Sequence, residues 1–111
     1  MASGKVKELT KDNFEEEVIS SGKLFLVDFW AEWCMPCKML GPVIEQLGEQ
    51  YQGRVTVAKV DVDEHSELAA RYGIQSIPTV IIINKGEIVD TIVGLRNPDA
   101  YTKVLDGLLN G

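Results

Sequence analysis

The chain has 111 residues, 45% of them hydrophobic, which suffices for one domain with its own core and calls for neither metal nor disulfide staples. Asp and Glu number 17 against 11 Lys and Arg; the net charge of −6 disfavours nonspecific attraction to nucleic acid or an anionic membrane and favours neutral or basic protein surfaces as partners. No stretch reaches the ~20 apolar residues of a membrane-spanning helix, and Met1 to Gly4 lack the charged and apolar regions of a secretory signal, so given an intact N-terminus a cytoplasmic protein is expected.

In chain order, Phe14 and Val18, four apart and followed by Ser20-Ser21-Gly22, predict a short amphipathic helix over Phe14 to Ile19. Leu24 to Trp30 is too uniformly apolar for a half-exposed strand and too short for a typical helix, which predicts a central strand covered on both faces. From Cys34 to Tyr51 helix formers dominate, with Met39, Val43, Leu47 and Tyr51 at four-residue spacing; Pro42 inside the run predicts a bend, because it removes a backbone donor. Val55 to Val62 alternates with period two and predicts a further strand, and Glu67 to Tyr72 a helix stopped by Gly73. The apolar, β-branched runs Thr79 to Ile83 and Glu87 to Val93, joined by Asn84-Lys85-Gly86, predict an antiparallel hairpin. Asn97 and Pro98 suit the start of a last helix striped by Tyr101, Val104, Leu105, Leu108 and Leu109. One α/β domain over 1–111 is expected, with residues 1–4 a flexible N-terminus.

Both cysteines of the chain, Cys34 and Cys37, stand two residues apart behind the apolar strand. That spacing, at the opening of a helix in a chain expected in a reducing compartment, reads as a dithiol that cycles with a disulfide. A purely structural bridge is a poor alternative, since closing so short a loop contributes only roughly 2 kcal/mol in the chain-entropy picture. Structural zinc is as poor an alternative, because it takes four ligands and the chain offers only His65 besides the two cysteines. Asp28 is the second signal: a carboxylate between Val27 and Phe29 in a buried strand, where desolvation raises its pKa. Its alternative reading is a strand residue hydrogen-bonded to backbone.

The order of elements, together with Val27-Asp28-Phe29-Trp30-Ala31-Glu32-Trp33-Cys34, Pro36-Cys37-Lys38, Lys59-Val60-Asp61-Val62-Asp63, Ile77-Pro78-Thr79 and Gly94, strongly resembles the thioredoxin family over nearly the whole chain. The resemblance implies the thioredoxin fold, a central mixed β-sheet of about five strands covered by about four helices on both faces. It also implies a general protein-disulfide reductase. Cys34, at a helix N-terminus that favours thiolate, would attack a substrate disulfide; Cys37 would resolve the mixed disulfide, and Asp28 would accept the Cys37 proton. Lys59, on the neighbouring strand, would temper the Asp28 carboxylate.

Pro36 would limit backbone freedom between the cysteines. In this family the bond matching Ile77-Pro78 is cis and lies against the cysteines, leaving the Ile77 backbone to pair with an extended client segment. Trp33, Met35, Ile77, Gly94 and Ile74 would rim the sulfurs with an apolar patch, with Trp30 packed beneath. The departure is Met35, where the family usually carries glycine. The change adds no charge, so it would tune client preference through sterics and apolar contact. The implied cofactor set is empty apart from the cysteine pair itself, and the implied partners are a thioredoxin reductase and disulfide-bearing client proteins. The chain itself is expected as a monomer, and it lacks the Gly-x-Gly-x-x-Gly fingerprint for a dinucleotide. Competing readings are a thiol oxidase or isomerase, which needs a more oxidising potential, and a docking scaffold that uses the reduced fold.

Overall fold

The computed structural model describes residues 5–110, so the flexibility expected of residues 1–4 lies outside the described residues. The strands are β1 (Lys7–Glu8), β2 (Phe25–Trp30), β3 (Thr56–Asp61), β4 (Thr79–Asn84) and β5 (Glu87–Val93), and the helices α1 (Met35–Gln50), α2 (Ser66–Arg71) and α3 (Asp99–Asn110), with a π-helical turn at Glu15–Ile19. They form a five-stranded mixed sheet in the order β1-β3-β2-β4-β5. β3 runs parallel to β1 and β2, while β4 is antiparallel to β2 and β5.

β2 lies at the centre of this sheet, and its first five residues are buried, as its unbroken apolar run predicts. Alternate residues feed two separate layers. Leu26 packs with Val57, Val80, Ile82 and Ile92 beneath Leu40, Ile44 and Leu47 of α1 and Tyr101 and Leu105 of α3. Phe25, Val27 and Phe29 pack with Ala58, Val60, Ile81 and Ile83 against Phe14, Val18 and Leu68 on the other face. Each such fully buried side chain contributes about 1.5–3 kcal/mol of transfer free energy, so the sheet is the rigid frame on which the loops sit.

Several local features differ from the expectations. β1 has no counterpart among the expected elements, because its two residues are both exposed and charged; buried Val6 and Leu9 on either side anchor it, and Leu9 N–H donates to Lys59 O. The first helical segment occupies the expected residues but closes as a π-turn, with Ser20 N–H donating to Glu15 O at 2.9 Å. Met39 is not part of the inward face of α1. Four-residue steps drift across a helix of 3.6 residues per turn, and the phase set by inward-pointing Cys37, Leu40 and Ile44 leaves Met39 59% exposed.

α1 itself runs unbroken through Pro42. The hairpin is tighter than the sequence suggests: Asn84 belongs to β4, and Lys85 and Gly86 alone make the turn, both with positive φ (55° and 81°), as a primed two-residue hairpin turn requires. Among the described residues, no helix is long and apolar enough to cross a membrane.

Candidate active site

The site forms where β2 ends and α1 begins. Ala31 accepts the Cys34 N–H at 3.2 Å, which folds the chain back so that Cys34, in extended conformation (φ −91°, ψ 107°), becomes the N-cap of α1. Pro36 occupies the first turn, where its lack of a donor costs nothing and its fixed φ suits a helix. Cys34 and Cys37 are joined as a disulfide, with their Cα atoms 5.2 Å apart. The Cys37 N–H points at Cys34 Sγ at 3.3 Å, the position of an orphan helix donor that favours negative charge on that sulfur.

Both cysteines are nearly covered, Cys34 to 5% and Cys37 to 3% exposure, so burial barely separates them. Their surroundings do. Cys34 Sγ lies 3.8 Å from the Ile77 carbonyl oxygen, beside the cis Ile77-Pro78 bond. Cys37 instead lines an open-sided cavity of about 460 Å³ together with Asp28, Trp30, Lys38 and Lys59.

Asp28 is 3% exposed, and its Oδ1 has no hydrogen-bond partner among the described residues. Burial pushes its pKa up from 3.8 to about 7, with the positive charge of Lys59 pulling the other way. The alternative reading, a carboxylate held by backbone hydrogen bonds, does not account for that bare oxygen. Lys59 is the register partner of Asp28 across β2 and β3, on the neighbouring strand as expected, but its ammonium closes no ion pair with that carboxylate. Its Nζ sits over the Trp30 ring, 4.6 Å from the centroid. Trp30 thus serves as a seat for the ammonium, and the effect of Lys59 on Asp28 is Coulombic at a distance.

The outer rim is apolar and exposed. Trp33 is 71% and Met35 66% exposed on either side of Cys34. The Trp33 indole donates from Nε1 to Asp63 Oδ2 at 2.7 Å, which fixes the ring over the end of β3. Sequence reasoning singles out Trp33 but not this anchor; the signal is the acidic segment after β3, where Asp61 Oδ1 accepts the Asp63 and Glu64 amides and turns the chain.

Ile77 packs in the cluster that holds the cysteines. Ile74 packs in the layer beneath α2, which Ile77 also joins, and so lies one step further from the sulfurs. Pro78 is buried, and its carbonyl accepts the Gly94 N–H at 2.8 Å; Gly94 has φ +90° with open space where a Cβ would stand. That backbone is the reason for glycine there, since other residues rarely adopt it. Exposed Val93 and Leu95 flank it. His65 accepts the Lys11 N–H through Nδ1 near α2, and among the described residues no group of three or more His, Cys, Asp or Glu is placed to hold a metal ion.

The thioredoxin family model matches residues 5–107. The chain belongs to the thioredoxin family. It is 50% identical over 104 residues to a thioredoxin of Chlorobaculum thiosulfatiphilum, covering 94% of this chain and 96% of the relative. It is 51% identical over 104 residues to thioredoxin 2 of Chlorobaculum tepidum, covering 94% and 95%. Among solved structures it superposes on a single-site mutant of the thioredoxin from Halobacterium salinarum NRC-1 with a TM-score of 0.83 at 38% identity, over 96% of this chain and 94% of that one.

Thioredoxins are thiol-disulfide oxidoreductases whose redox group is their own cysteine pair, and this chain is such an enzyme with the thioredoxin fold. Membership also brings the family's general partners, a thioredoxin reductase and disulfide-bearing substrates.

Proposed function

We propose that this thioredoxin is a general protein-disulfide reductase in which Cys34 attacks, Cys37 resolves and Asp28 accepts the Cys37 proton. In the reduced protein, the Cys34 thiolate attacks one sulfur of a client disulfide, forming the mixed disulfide and releasing the first client thiolate. Cys37 then gives its proton to Asp28 and attacks Cys34 Sγ. The Cys34–Cys37 bond closes, the second client thiolate leaves, and two electrons have passed to the client. The Asp28 proton returns to solvent or to the departing thiolate, and the reductase restores the dithiol.

The observation that carries the assignment is the division of surroundings: Cys34 caps a helix beside the exposed rim, whereas Cys37 shares its cavity with a carboxyl group whose pKa lies at about 7. A base poised near neutrality is suited to take a thiol proton and release it again. Exposed Trp33 and Met35 supply apolar contact, and the Ile77 carbonyl beside Cys34 supports main-chain pairing with an extended client, which suits broad substrate tolerance.

Trapping tests the order of attack. Cys37→Ser should accumulate a client mixed disulfide on Cys34, and Cys34→Ser should accumulate none; the opposite pattern would reverse the two roles.

A further inference from the structure

Two side-chain oxygens among the described residues are buried without a hydrogen-bond partner, Asp28 Oδ1 and Tyr101 Oη. They belong to the same layer. Asp28 lies two residues from Leu26 on β2 and opposite Val80 on β4, which in turn pairs with Ile92 on β5. Leu26, Val80 and Ile92 all pack in the cluster that contains Tyr101 of α3, so the carboxyl and the phenol enter one core from the sheet and from the helix that covers it.

Tyr101 is fully buried. Its ring would serve that cluster as well if it were Phe or Leu; a buried tyrosine hydroxyl ordinarily finds a partner, and an oxygen with none is a cost that packing does not explain.

We propose that the Tyr101 hydroxyl hydrogen-bonds the ionised Asp28 carboxylate through one bound water, and is a positioning residue that sets how readily Asp28 holds a proton. The functional half of this rests on Asp28 being the proton acceptor; the contact itself does not.

Burial raises the Tyr101 pKa, the negative charge of Asp28 raises it further, and Arg96 opposes both, so the phenol keeps its proton throughout the range in which Asp28 titrates and remains a donor. An O–H aimed at a carboxylate stabilises the charged form and lowers its pKa. The other ionisable groups around Asp28 are Lys59 on β3, Glu32 after β2, and Cys37, Lys38 and Glu45 on α1, which line the cavity with it. β4 offers only Val80 at this register. Tyr101 is the polar group that α3 contributes to this core layer, while Asp28 shares its cavity with Cys37.

The test is the titration of the Asp28 side-chain carbon, followed by NMR in the oxidised protein, where neither cysteine carries a titrating proton. Tyr101→Phe removes the hydroxyl alone, and the expected result is an upward shift of the Asp28 midpoint by about one unit. Tyr101→Leu should give the same shift, which excludes a rearrangement peculiar to phenylalanine. An unchanged or lowered midpoint in folded Tyr101→Phe overturns the contact.

The pH profile of turnover then separates the two readings. If the acid limb moves up with the midpoint, and Tyr101→Phe adds nothing in an Asp28→Asn background, Tyr101 acts through Asp28 in the reaction. If the midpoint moves and the acid limb does not, the positioning role fails together with the proton-acceptor role, while the contact stands.

Discussion

Lys59 stands beside Asp28 across the parallel β2–β3 pair, yet its ammonium rests on the Trp30 ring, 4.6 Å from the centroid, and does not close an ion pair with the carboxylate. The arrangement lets a positive charge restrain the Asp28 pKa without neutralising the group, which stays near 7 instead of rising further.

Lys59→Gln removes that restraint while keeping a polar side chain over Trp30. The Asp28 midpoint should rise by about one unit, and at pH 7 the resolving step should slow several-fold. Stopped-flow decay of the mixed disulfide between pH 6 and 9 checks this; a rate and midpoint equal to the parent would show that Lys59 is a packing residue.

Asp28→Asn should stabilise the fold and slow the chemistry. A carboxyl whose folded pKa is raised carries no ionisation penalty below its unfolded value near 3.8; the penalty grows as pH rises and is complete above the folded value of about 7. The full penalty is on the order of 4 kcal/mol at most, by the conversion of pKa difference to free energy. Denaturant midpoints should therefore favour Asp28→Asn at pH 8 and converge with the parent near pH 3.5. Destabilisation at pH 8 would contradict the desolvation account.

The sheet and the redox pair were legible because their signals are local. An unbroken apolar run such as Leu24 to Trp30 has few readings, and two cysteines behind it admit few chemistries. What stayed hidden depends on tertiary placement. β1 carries Lys7 and Glu8, which have no pattern of their own, and becomes a strand only because β3 offers an edge. Tyr101 reads as one more apolar position of the last helix, since nothing in the local sequence shows that its hydroxyl shares a core layer with Asp28. The link from Asp63 to Trp33 spans 30 residues and likewise needs the fold to bring β3 beside the cysteine loop.

Asp63→Ala frees the Trp33 indole. A charge-assisted hydrogen bond of about 1.5–3 kcal/mol is lost, partly offset by water because the ring is exposed. KM for protein clients should rise a few-fold with kcat held, and Trp33 fluorescence anisotropy should fall. Unchanged anisotropy would mean that the ring is held by other contacts.

Met35→Gly removes an exposed thioether beside Cys34 and loosens the backbone before Pro36. Losing apolar contact of about one side chain changes affinity by up to about tenfold for clients that touch it and by nothing for those that do not. Relative rates across several disulfide clients should therefore reorder while the trapping behaviour of Cys34 persists. Identical relative rates would remove Met35 from client selection.

The most direct test of the central claim is insulin reduction with dithiothreitol as electron donor. The intact protein should accelerate cleavage of the insulin disulfides, and Cys34→Ser should abolish the acceleration. No acceleration by folded protein with both thiols free, or full acceleration by Cys34→Ser, would contradict a dithiol reductase mechanism led by Cys34.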